Sequence, residues 1–376
     1  MTAWADRLAG RLAGIRDSGR WRALRPLGGR LPEVTVDGAP VVSFAANDYL
    51  GLAGHPAVVA AAHEALDAWG LGAGASRLVV GHRTYHEELE EELAAWKGTE
   101  AALSLPTGYM ANLGVLAALA DGPEVLIVSD ERNHASIVDG CRLARGAVSI
   151  ARHGDVDHVD ALLAAHAGPA IVVTDSVFSM DGDEAPIADL LEVCGRRGAC
   201  LVVDEAHAVL GPDVDLAAAE GLGVEVVRVG TLSKALGSVG GFVAAGQPVV
   251  ELLVNVARPF IFTTGTTSAD TAGALAALRI ARSAEGDRLR GRLAAHIDAV
   301  APGHPSPIVP IVLGDERRAL DAAAHLLEQG LLVPAIRPPT VAAGTSRLRV
   351  ALSAAHTDEQ VERLVKALAD LPAPGA

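Results

Sequence analysis

The chain has 376 residues, half of them hydrophobic but only 3% aromatic, so its core must be built mainly from alanine, valine and leucine. Its formal net charge of −15 argues against sequence-independent nucleic-acid binding, which requires a basic surface. No apolar run reaches the roughly 18 residues that span a bilayer, and Asp6 and Arg7 lie where a signal peptide needs an apolar stretch. We expect a cytoplasmic protein that binds neither nucleic acid nor membranes.

Helical spacing covers residues 2–25, and a short strand, VVSF, follows at 41–44. Between about residues 100 and 245 lie seven short apolar runs, most of them separated by helical patterns: AALSL, EVLIV, AVSIA, AIVVT, CLVVD, VVRVG and GGFVAA. Apolar runs of this length between helices predict an α/β fold with a mostly parallel, seven-stranded sheet sandwiched by helices. Ligands of such sheets bind at the carboxyl ends of the strands.

After residue 265 an Ala-rich helical stretch leads to a second, smaller α/β module. It alternates SPIVPIVLG, a helix over 316–329, SRLRVAL and a helix over 357–370. The expected regions are an N-terminal helical segment (1–44) that packs with the small domain, a large ligand-binding domain (45–280) and the small C-terminal domain (281–376). We expect the tail LPAPGA to be disordered.

The strand candidate CLVVD runs into DEAH at 204–207, a string that also occurs in the metal-binding element of RNA helicases. That interpretation requires a phosphate loop of the type GxxxxGK[ST], and the chain contains no Gly-Lys pair. Two alternatives stay open. Asp204 caps a helix, or Asp204 and His207 face a ligand at the strand end.

The stretch VRVGTLSKALGSVGGFVAAG at 227–246 holds one of only three lysines in the chain, which are Lys97, Lys234 and Lys366. An apolar strand-to-turn setting desolvates an amine, which lowers its pKa and favours the free amine, a nucleophile toward carbonyls. Arginine cannot replace it, because arginine stays protonated. The alternative is a lysine that extends to the surface.

The other residues that bind metals show no convincing pattern. His82 and His86 are spaced i,i+4 but lack a third ligand, and Cys141, Cys194 and Cys200 show no paired spacing. We expect no metal site.

An enzyme that uses pyridoxal 5'-phosphate (PLP) needs an imine-forming lysine, a carboxylate on the pyridine nitrogen, a group that stacks on the ring and a phosphate cradle. Lys234 and Asp204 are candidates for the first two. His134, in RNHAS ahead of a predicted helix, could stack on the ring, or it could simply cap the helix.

Candidates for the remaining PLP contacts also lie near strand ends. Gly108 and Tyr109, in PTGYMANLG, are placed at a helix start, where free N–H groups favour phosphate. Thr231 could add a hydroxyl. His207 and Ser179 follow neighbouring strands, where either could hydrogen-bond the 3-oxygen of the ring.

These segments resemble, in order and over nearly the whole chain, the α-oxoamine synthases, which are fold-type I PLP-dependent transferases. The segments are SFAANDYLGL, GASRLVVG, LPTGYMAN, VFSMDGDEAP, VDEAH, GTLSKALGSVGGF and RPPTVAAGTSRLRVALSAAHT. The resemblance implies the fold-type I architecture and a decarboxylative condensation of an amino acid with an acyl thioester. In this family the active site lies at a dimer interface, and FTTGTTS (262–268) resembles the segment that reaches the partner's cofactor, so we expect a homodimer with shared active sites.

Within the family, the compact length and the IRPPTV…GTSRLR stretch are most similar to the branch that serves biotin synthesis. The implied substrates are L-alanine and a pimeloyl thioester, carried by coenzyme A or by a carrier protein. The alternative is glycine or serine with another acyl-CoA, and Ser233, before Lys234, is a serine also seen in the sphingolipid branch. Transamination needs the same lysine and aspartate and stays open.

The resemblance also implies residue roles. Lys234 would hold PLP covalently, Asp204 would pair with the pyridinium nitrogen and His134 would stack over the ring. Arg349, the second arginine of SRLR, would take the amino-acid carboxylate, as a bidentate guanidinium can. The positions matched to the substrate site are Asn47, Thr340 and, near the acyl chain, Arg22, for which Arg20 is an alternative.

Overall fold

The computed structural model describes residues 2–371, so all but the first residue of the tail LPAPGA lies outside the described residues. The strands are β1 (Leu27–Arg30), β2 (Glu33–Val36), β3 (Ala39–Ser43), β4 (Ala101–Leu105), β5 (Leu126–Asp130), β6 (Ala147–Ala151), β7 (Ala170–Asp175), β8 (Cys200–Asp204), β9 (Val226–Thr231), β10 (Gly241–Ala245), β11 (Ile308–Gly314), β12 (Leu331–Leu332), β13 (Ala335–Ile336) and β14 (Ser346–Ala351). The helices are α1 (Ala3–Asp17), α2 (Pro56–Trp69), α3 (Thr84–Lys97), α4 (Gly108–Leu119), α5 (Ala135–Leu143), α6 (Val156–Ala164), α7 (Ile187–Arg197), α8 (Leu216–Leu222), α9 (Gln247–Val256), α10 (Arg258–Ile261), α11 (Ser268–Ala281), α12 (Ala284–Val300), α13 (Glu316–Glu328) and α14 (Asp358–Ala369), with a short π-helix at Arg77–Gly81. Across residues 2–371, no helix is both long and apolar enough to cross a membrane.

The seven predicted strands form one sheet, in the order β4-β10-β9-β8-β7-β5-β6. Six of these strands run in one direction, and β10 runs antiparallel to both of its neighbours, β4 and β9. The connection from β9 to β10, residues 232–240, is too short for the crossover that a parallel pair requires, so β10 must reverse. The predicted mostly parallel sheet is confirmed.

Helices cover the large sheet on both faces, which explains why its strands read as continuous apolar runs. In β8, for example, Val202 packs in the core beneath α4, α5 and α9, whereas Leu201 and Val203 pack in the core beneath α6, α7 and α8. A third core joins α2, α3 and α11 to the C-terminal helices and strands.

The described residues also form two smaller sheets, with orders β11-β14-β13 and β1-β2-β3-β12. In the second, Leu331 of β12 pairs in parallel with Val42 of β3, so strands from both parts of the chain share one sheet. The division of the chain at residues 44 and 280 remains a prediction. The predicted N-terminal helix is wrong beyond Asp17, because Gly19 adopts a left-handed φ of 67°, which ends the helix.

The parallel strands bring four polar residues to one edge of the large sheet. β5, β7, β8 and β9 end at Asp130, Asp175, Asp204 and Thr231. The carboxyl ends of parallel strands lie at the same edge, so the residues that follow them converge there.

Candidate functional site

Lys234 follows β9, and its amine lies at the edge of the large sheet where the parallel strands end. Its Nζ lies 2.8 Å from Nε2 of His207. Burial lowers the pKa of Lys234, although the carboxylates of Asp204 and Asp175 oppose this shift. The amine therefore loses its proton more readily than an exposed lysine does, as a nucleophile or base requires.

His207 lies between Lys234 and a buried tyrosine. The Tyr49 hydroxyl is 2.6 Å from His207 Nδ1. Burial holds the pKa of His207 well below its usual range, and the positive charges of Lys234 and Arg349 lower it further. Burial also raises the pKa of Tyr49 to about 12. A neutral imidazole and a protonated phenol therefore face each other beside the lysine.

Asp204 is buried and held by two donors. Its Oδ2 accepts a hydrogen bond of 2.7 Å from Nδ2 of Asn112, and its Oδ1 accepts one of 2.9 Å from the backbone N–H of Ala206. Asn112 also donates to Oγ of Ser136 at 2.8 Å. The side-chain oxygen of Asn112 has no partner within the described part of the chain. This orphaned acceptor shows that the local hydrogen bonding is incomplete without a further donor.

His134 caps the start of α5, and its backbone is fixed from the neighbouring strand. Its N–H donates to Oδ2 of Asp175 at 2.7 Å, and its Nδ1 lies 2.7 Å from Oγ of Ser136. Burial lowers the pKa of His134, whereas the charge of Asp204 acts in the opposite direction. The pKa of Asp175 is raised well above its usual range, chiefly by burial and then by Asp204.

The start of α4 forms a cradle of backbone N–H groups. The N–H of Met110 donates to the Thr107 side chain, whereas those of Gly108 and Tyr109 find no acceptor in residues 2–371. A Cβ added at Gly108 would lie 3.3 Å from Cβ of Thr231 and would crowd this space. Free N–H groups at a helix start favour an anion.

The side chains of Tyr109 and Thr231 are engaged with the protein. Tyr109 donates its hydroxyl to Asp139, and its ring meets that of His134 edge-on at 6.3 Å. The Thr231 hydroxyl donates to the carbonyl of Gly240 at 2.9 Å. Both residues nevertheless border the cradle.

The C-terminal part of the chain contributes Arg349, a buried residue of β14. Both of its terminal nitrogens lie 3.3 Å from Oδ1 of Asn47, and its Nε donates to the carbonyl of Ser179 at 2.5 Å. Thr340 and Arg22 line a groove of about 690 Å³, together with Arg20. Thr340 also borders a second cavity of about 500 Å³ that reaches Ser179.

The structure thus groups the predicted residues in three places. One cluster contains Lys234, Asp204, His134, His207, Ser179, Asn47 and Arg349; the cradle contains Gly108, Tyr109 and Thr231; and the groove contains Arg22 and Thr340. Sequence reasoning missed Tyr49, Asn112, Ser136 and Asp175. Asp175 could have been found, because it ends a buried strand as Asp204 does.

The two histidines considered for a metal make other contacts. His82 Nδ1 accepts from Arg77 Nε at 3.0 Å, and His86 Nε2 lies 3.0 Å from the hydroxyl of Thr266. Across the described range, no group of three or more His, Cys, Asp or Glu side chains is arranged to hold a metal ion.

The sequence matches the family model described as aminotransferase class I and II over residues 39–368, and the chain belongs to this family. The 8-amino-7-oxononanoate synthase of Anaeromyxobacter dehalogenans is 48% identical over 98% of this chain and 97% of its own length. The enzyme of the same name from Methylobacterium nodulans is 45% identical over 97% of this chain and 96% of its own length. A variant of serine palmitoyltransferase from S. paucimobilis, solved with a bound PLP–myriocin aldimine, is 32% identical over 96% of both chains, with a TM-score of 0.87. These relatives confirm the predicted family and the fold-type I class.

Proposed function

We propose that the chain is a PLP-dependent acyltransferase of biotin biosynthesis. It condenses L-alanine with a pimeloyl thioester, carried by coenzyme A or a carrier protein, and yields 8-amino-7-oxononanoate, carbon dioxide and the free thiol. The observation that carries the proposal is the convergence of Lys234, Asp204 and Arg349 at one sheet edge, in a chain that is 48% identical to a synthase of that product.

The residues at the edge fit PLP. The enclosed amine of Lys234 would hold the cofactor covalently, and the buried carboxylate of Asp204 would pair with its ring nitrogen. His134 would stack over the ring, while His207 and Ser179 would contact its oxygen side. The orphaned oxygen of Asn112 supports a ligand at this position, and the lowered pKa of Lys234 suits an amine that reacts with a carbonyl.

The cradle at the start of α4 would hold the phosphate. Gly108 and Tyr109 would bind it through backbone N–H groups, and Thr231 would contribute its hydroxyl. The absence of a Cβ at Gly108 keeps this space open. This assignment uses the helix dipole, so it requires no lysine or arginine in the cradle.

Bound PLP, with its ring nitrogen protonated, withdraws electrons from the α-carbon of the amino acid. Arg349 would bind the carboxylate of the amino acid through two hydrogen bonds and orient its α-proton. The neutral amine of Lys234 would accept that proton at Nζ, and its lowered pKa suits this task. His134, kept neutral by burial, would donate a hydrogen bond to the thioester oxygen.

The groove that holds Arg22 and Thr340 would accept the acyl chain. Its wall combines apolar side chains such as Trp21 and Ile336 with the guanidinium groups of Arg20 and Arg22. This mixture suits a chain of methylene groups that ends in a carboxylate. Arg20 and Arg22 both line the groove, so either can serve as the acyl-chain arginine.

We also propose a cytoplasmic homodimer with shared active sites. The segment 262–268 begins with an exposed Phe262, and exposed valines at positions 79 and 80 lie in the π-helix. Ser76, directly before the π-helix, forms a β-bridge with Thr264, which brings these two exposed segments together. A second copy of the chain would cover their apolar side chains. The three cysteines are free thiols, which suits a reducing compartment.

A second candidate is a relative that uses glycine or serine with another acyl-CoA. The observation that favours it is the TM-score of 0.87 with a serine palmitoyltransferase, together with Ser233 before Lys234. The identity of 32% to that protein is well below the 48% to the biotin-pathway synthase.

The test is a visible absorption spectrum of the purified protein with PLP, titrated in parallel with L-alanine, glycine and L-serine. We expect a cofactor band that shifts with L-alanine and hardly with the other two. A shift only with glycine or serine would favour the second candidate. Lys234→Ala should abolish the covalent band and product formation, whereas the exposed control Lys366→Ala should retain both. If the covalent band persisted in Lys234→Ala as it does in Lys366→Ala, the role of Lys234 would be overturned.

A further inference from the structure

A buried cluster of charges lies directly behind the site and has no part in the chemistry above. The Glu205 carboxylate meets Arg228 Nε at 2.7 Å on one oxygen and Lys97 Nζ at 2.7 Å on the other. The side chains of Glu205, Arg228 and Lys97 are only 2%, 4% and 9% exposed. Lys97 is thus enclosed like Lys234, but it is paired with a carboxylate.

The cluster joins three elements of the large domain. Lys97 ends α3, Glu205 follows β8, and Arg228 lies within β9. Arg228 also donates to the carbonyl of Lys97 at 2.8 Å and pairs with Asp213. The ammonium of Lys97 lies 3.9 Å from the centroid of the Trp96 ring. Glu205 therefore links the end of a helix to two neighbouring strands.

Glu205 is fixed by its backbone as well as by its side chain. Its N–H donates to the carbonyl of Val229 at 2.7 Å, which continues the ladder between β8 and β9. Successive side chains of a strand point to opposite faces. Accordingly, Asp204 contacts Asn112 of α4, whereas Glu205 contacts the end of α3. Anchoring Glu205 on one face holds the Asp204 carboxylate on the other.

Glu205 is also the first residue of the turn that carries His207. The carbonyl of Glu205 accepts a hydrogen bond of 3.0 Å from the N–H of Ala208, which closes a turn around Ala206 and His207. The His207 ring in turn lies against Lys234 and Tyr49. A shift of Glu205 would therefore move Asp204 and His207 together.

A buried cluster of this kind is costly to desolvate, and it is weak evidence for a purely stabilising role. Arg228 and Lys97 offset the charge of Glu205 from two directions, so its carboxylate has one favoured position. Oε2 of Glu205 has no well-aligned hydrogen-bond donor within the described residues, so on that side it relies on the ion pair with Lys97.

We propose that Glu205, clamped by Lys97 and Arg228, is a positioning residue that sets the placement of Asp204 and His207 for the PLP chemistry. The effect of Glu205 on PLP chemistry rests on the proposed function, but the placement of His207 can be measured in the full chain without PLP. Four groups from the surrounding elements face the His207 ring or act on its charge: Lys234, Tyr49, Arg349 and His134.

The experiment compares Glu205→Gln and Lys97→Met with Glu90→Gln. The control removes another enclosed ion pair of α3, between Glu90 and Arg77 at 3.0 Å. Two readouts are taken for each variant: the pH titration of the His207 ring by NMR in PLP-free protein, assigned by comparison with His207→Asn, and the Kd for PLP. Urea unfolding measures the stability of each variant.

We expect Glu205→Gln and Lys97→Met to raise the pH at which His207 titrates by about one unit or more, because the ring escapes its enclosed position. The Kd for PLP should rise about tenfold in both variants. Glu90→Gln should lose stability but change neither readout. The proposal is overturned if Glu205→Gln and Lys97→Met lose stability while the His207 titration and the PLP affinity stay as in the wild type. Failure of the wild type to form a cofactor band bears only on the proposed function, since the His207 titration needs no PLP.

Discussion

Both terminal nitrogens of Arg349 lie 3.3 Å from a single atom, Oδ1 of Asn47. Asn47 Oδ1 also accepts from the Tyr49 hydroxyl at 3.1 Å, and that hydroxyl contacts His207, whose other nitrogen faces Lys234. A continuous line of side-chain contacts therefore joins the arginine assigned to the substrate carboxylate with the lysine assigned to its α-proton. A carboxylate would offer the guanidinium two charged oxygens in place of one neutral one.

Replacing Arg349 with lysine tests this assignment. Lysine keeps the positive charge but loses the planar fork, so one charge-assisted hydrogen bond is lost. Such a bond contributes about 1.5–3 kcal/mol, and we expect the KM for L-alanine to rise about 10- to 100-fold. The KM for the acyl thioester should hardly change, and the exposed control Arg317→Lys should change neither. An equal rise in both KM values would contradict the assignment.

Gly237→Ala tests the turn that carries Lys234. Gly237 has a left-handed φ of 61°, its N–H donates to the carbonyl of Lys234 at 2.9 Å, and an added Cβ would lie 2.2 Å from the backbone nitrogen of Ala53. Gly198 is a matched control, because its φ is 65° but, apart from its chain neighbours, no atom of residues 2–371 lies within 4 Å of an added Cβ.

In urea unfolding, we expect Gly198→Ala to cost about 1–2 kcal/mol from its backbone alone. Gly237→Ala should cost about 1–3 kcal/mol more, because the backbone of Ala53 must move. Gly237→Ala should also lower activity, since it displaces the turn next to Lys234. Equal free energies of unfolding for the two variants would show that the close approach to Ala53 is not maintained.

His356 makes stability depend on pH. The ring stacks on Phe44 at 4.2 Å, Nδ1 accepts from the N–H of Ser353, and Nε2 lies 3.0 Å from the carbonyl of Ser43. Burial lowers the pKa of His356 from 6.5 to about 4. The folded chain thus binds this proton less readily than the unfolded chain, so the stabilisation is complete above pH 6.5 and decreases as the pH falls toward 4.

The measurement is the free energy of unfolding between pH 7 and pH 4. We expect His356 to account for a loss of about 3 kcal/mol across this range in the wild type. His356→Asn should be less stable at pH 7 but should show a shallower decline toward pH 4. The exposed control His63→Asn should keep the wild-type slope, and a wild-type slope in His356→Asn would refute the prediction.

The sequence predicts the large sheet and the centre of the site for one physical reason. Short apolar runs between helices form parallel strands, and their carboxyl ends converge. Asp204, His207 and Lys234 could therefore be grouped before any coordinates, although the residues Asp204 and Lys234 are separated by a helix and a strand. The resemblance to the family supplied Arg349 and Asn47, which no local pattern indicates.

Other features depend on contacts that no local pattern specifies. Tyr49 reaches His207 across 158 positions, and its phenol could equally be an ordinary core residue. Lys97 follows a strongly acidic stretch that is typical of an exposed helix, yet its ammonium is enclosed against Glu205. An apolar run does not indicate the direction of its strand in a sheet, so the reversal of β10 follows only from the length of the connection before it.

The position of β10 between β4 and β9 has a consequence for synthesis of the chain. Until residue 245 has left the ribosome, β4 has no partner in the large sheet, because within residues 2–371 it pairs only with β10. At a translation speed of about 5–20 residues per second, β4 remains without that partner for roughly 7–28 s. A chaperone that shields apolar strands would therefore be needed most during this interval, and a pause in translation between β4 and β10 would prolong the risk of aggregation.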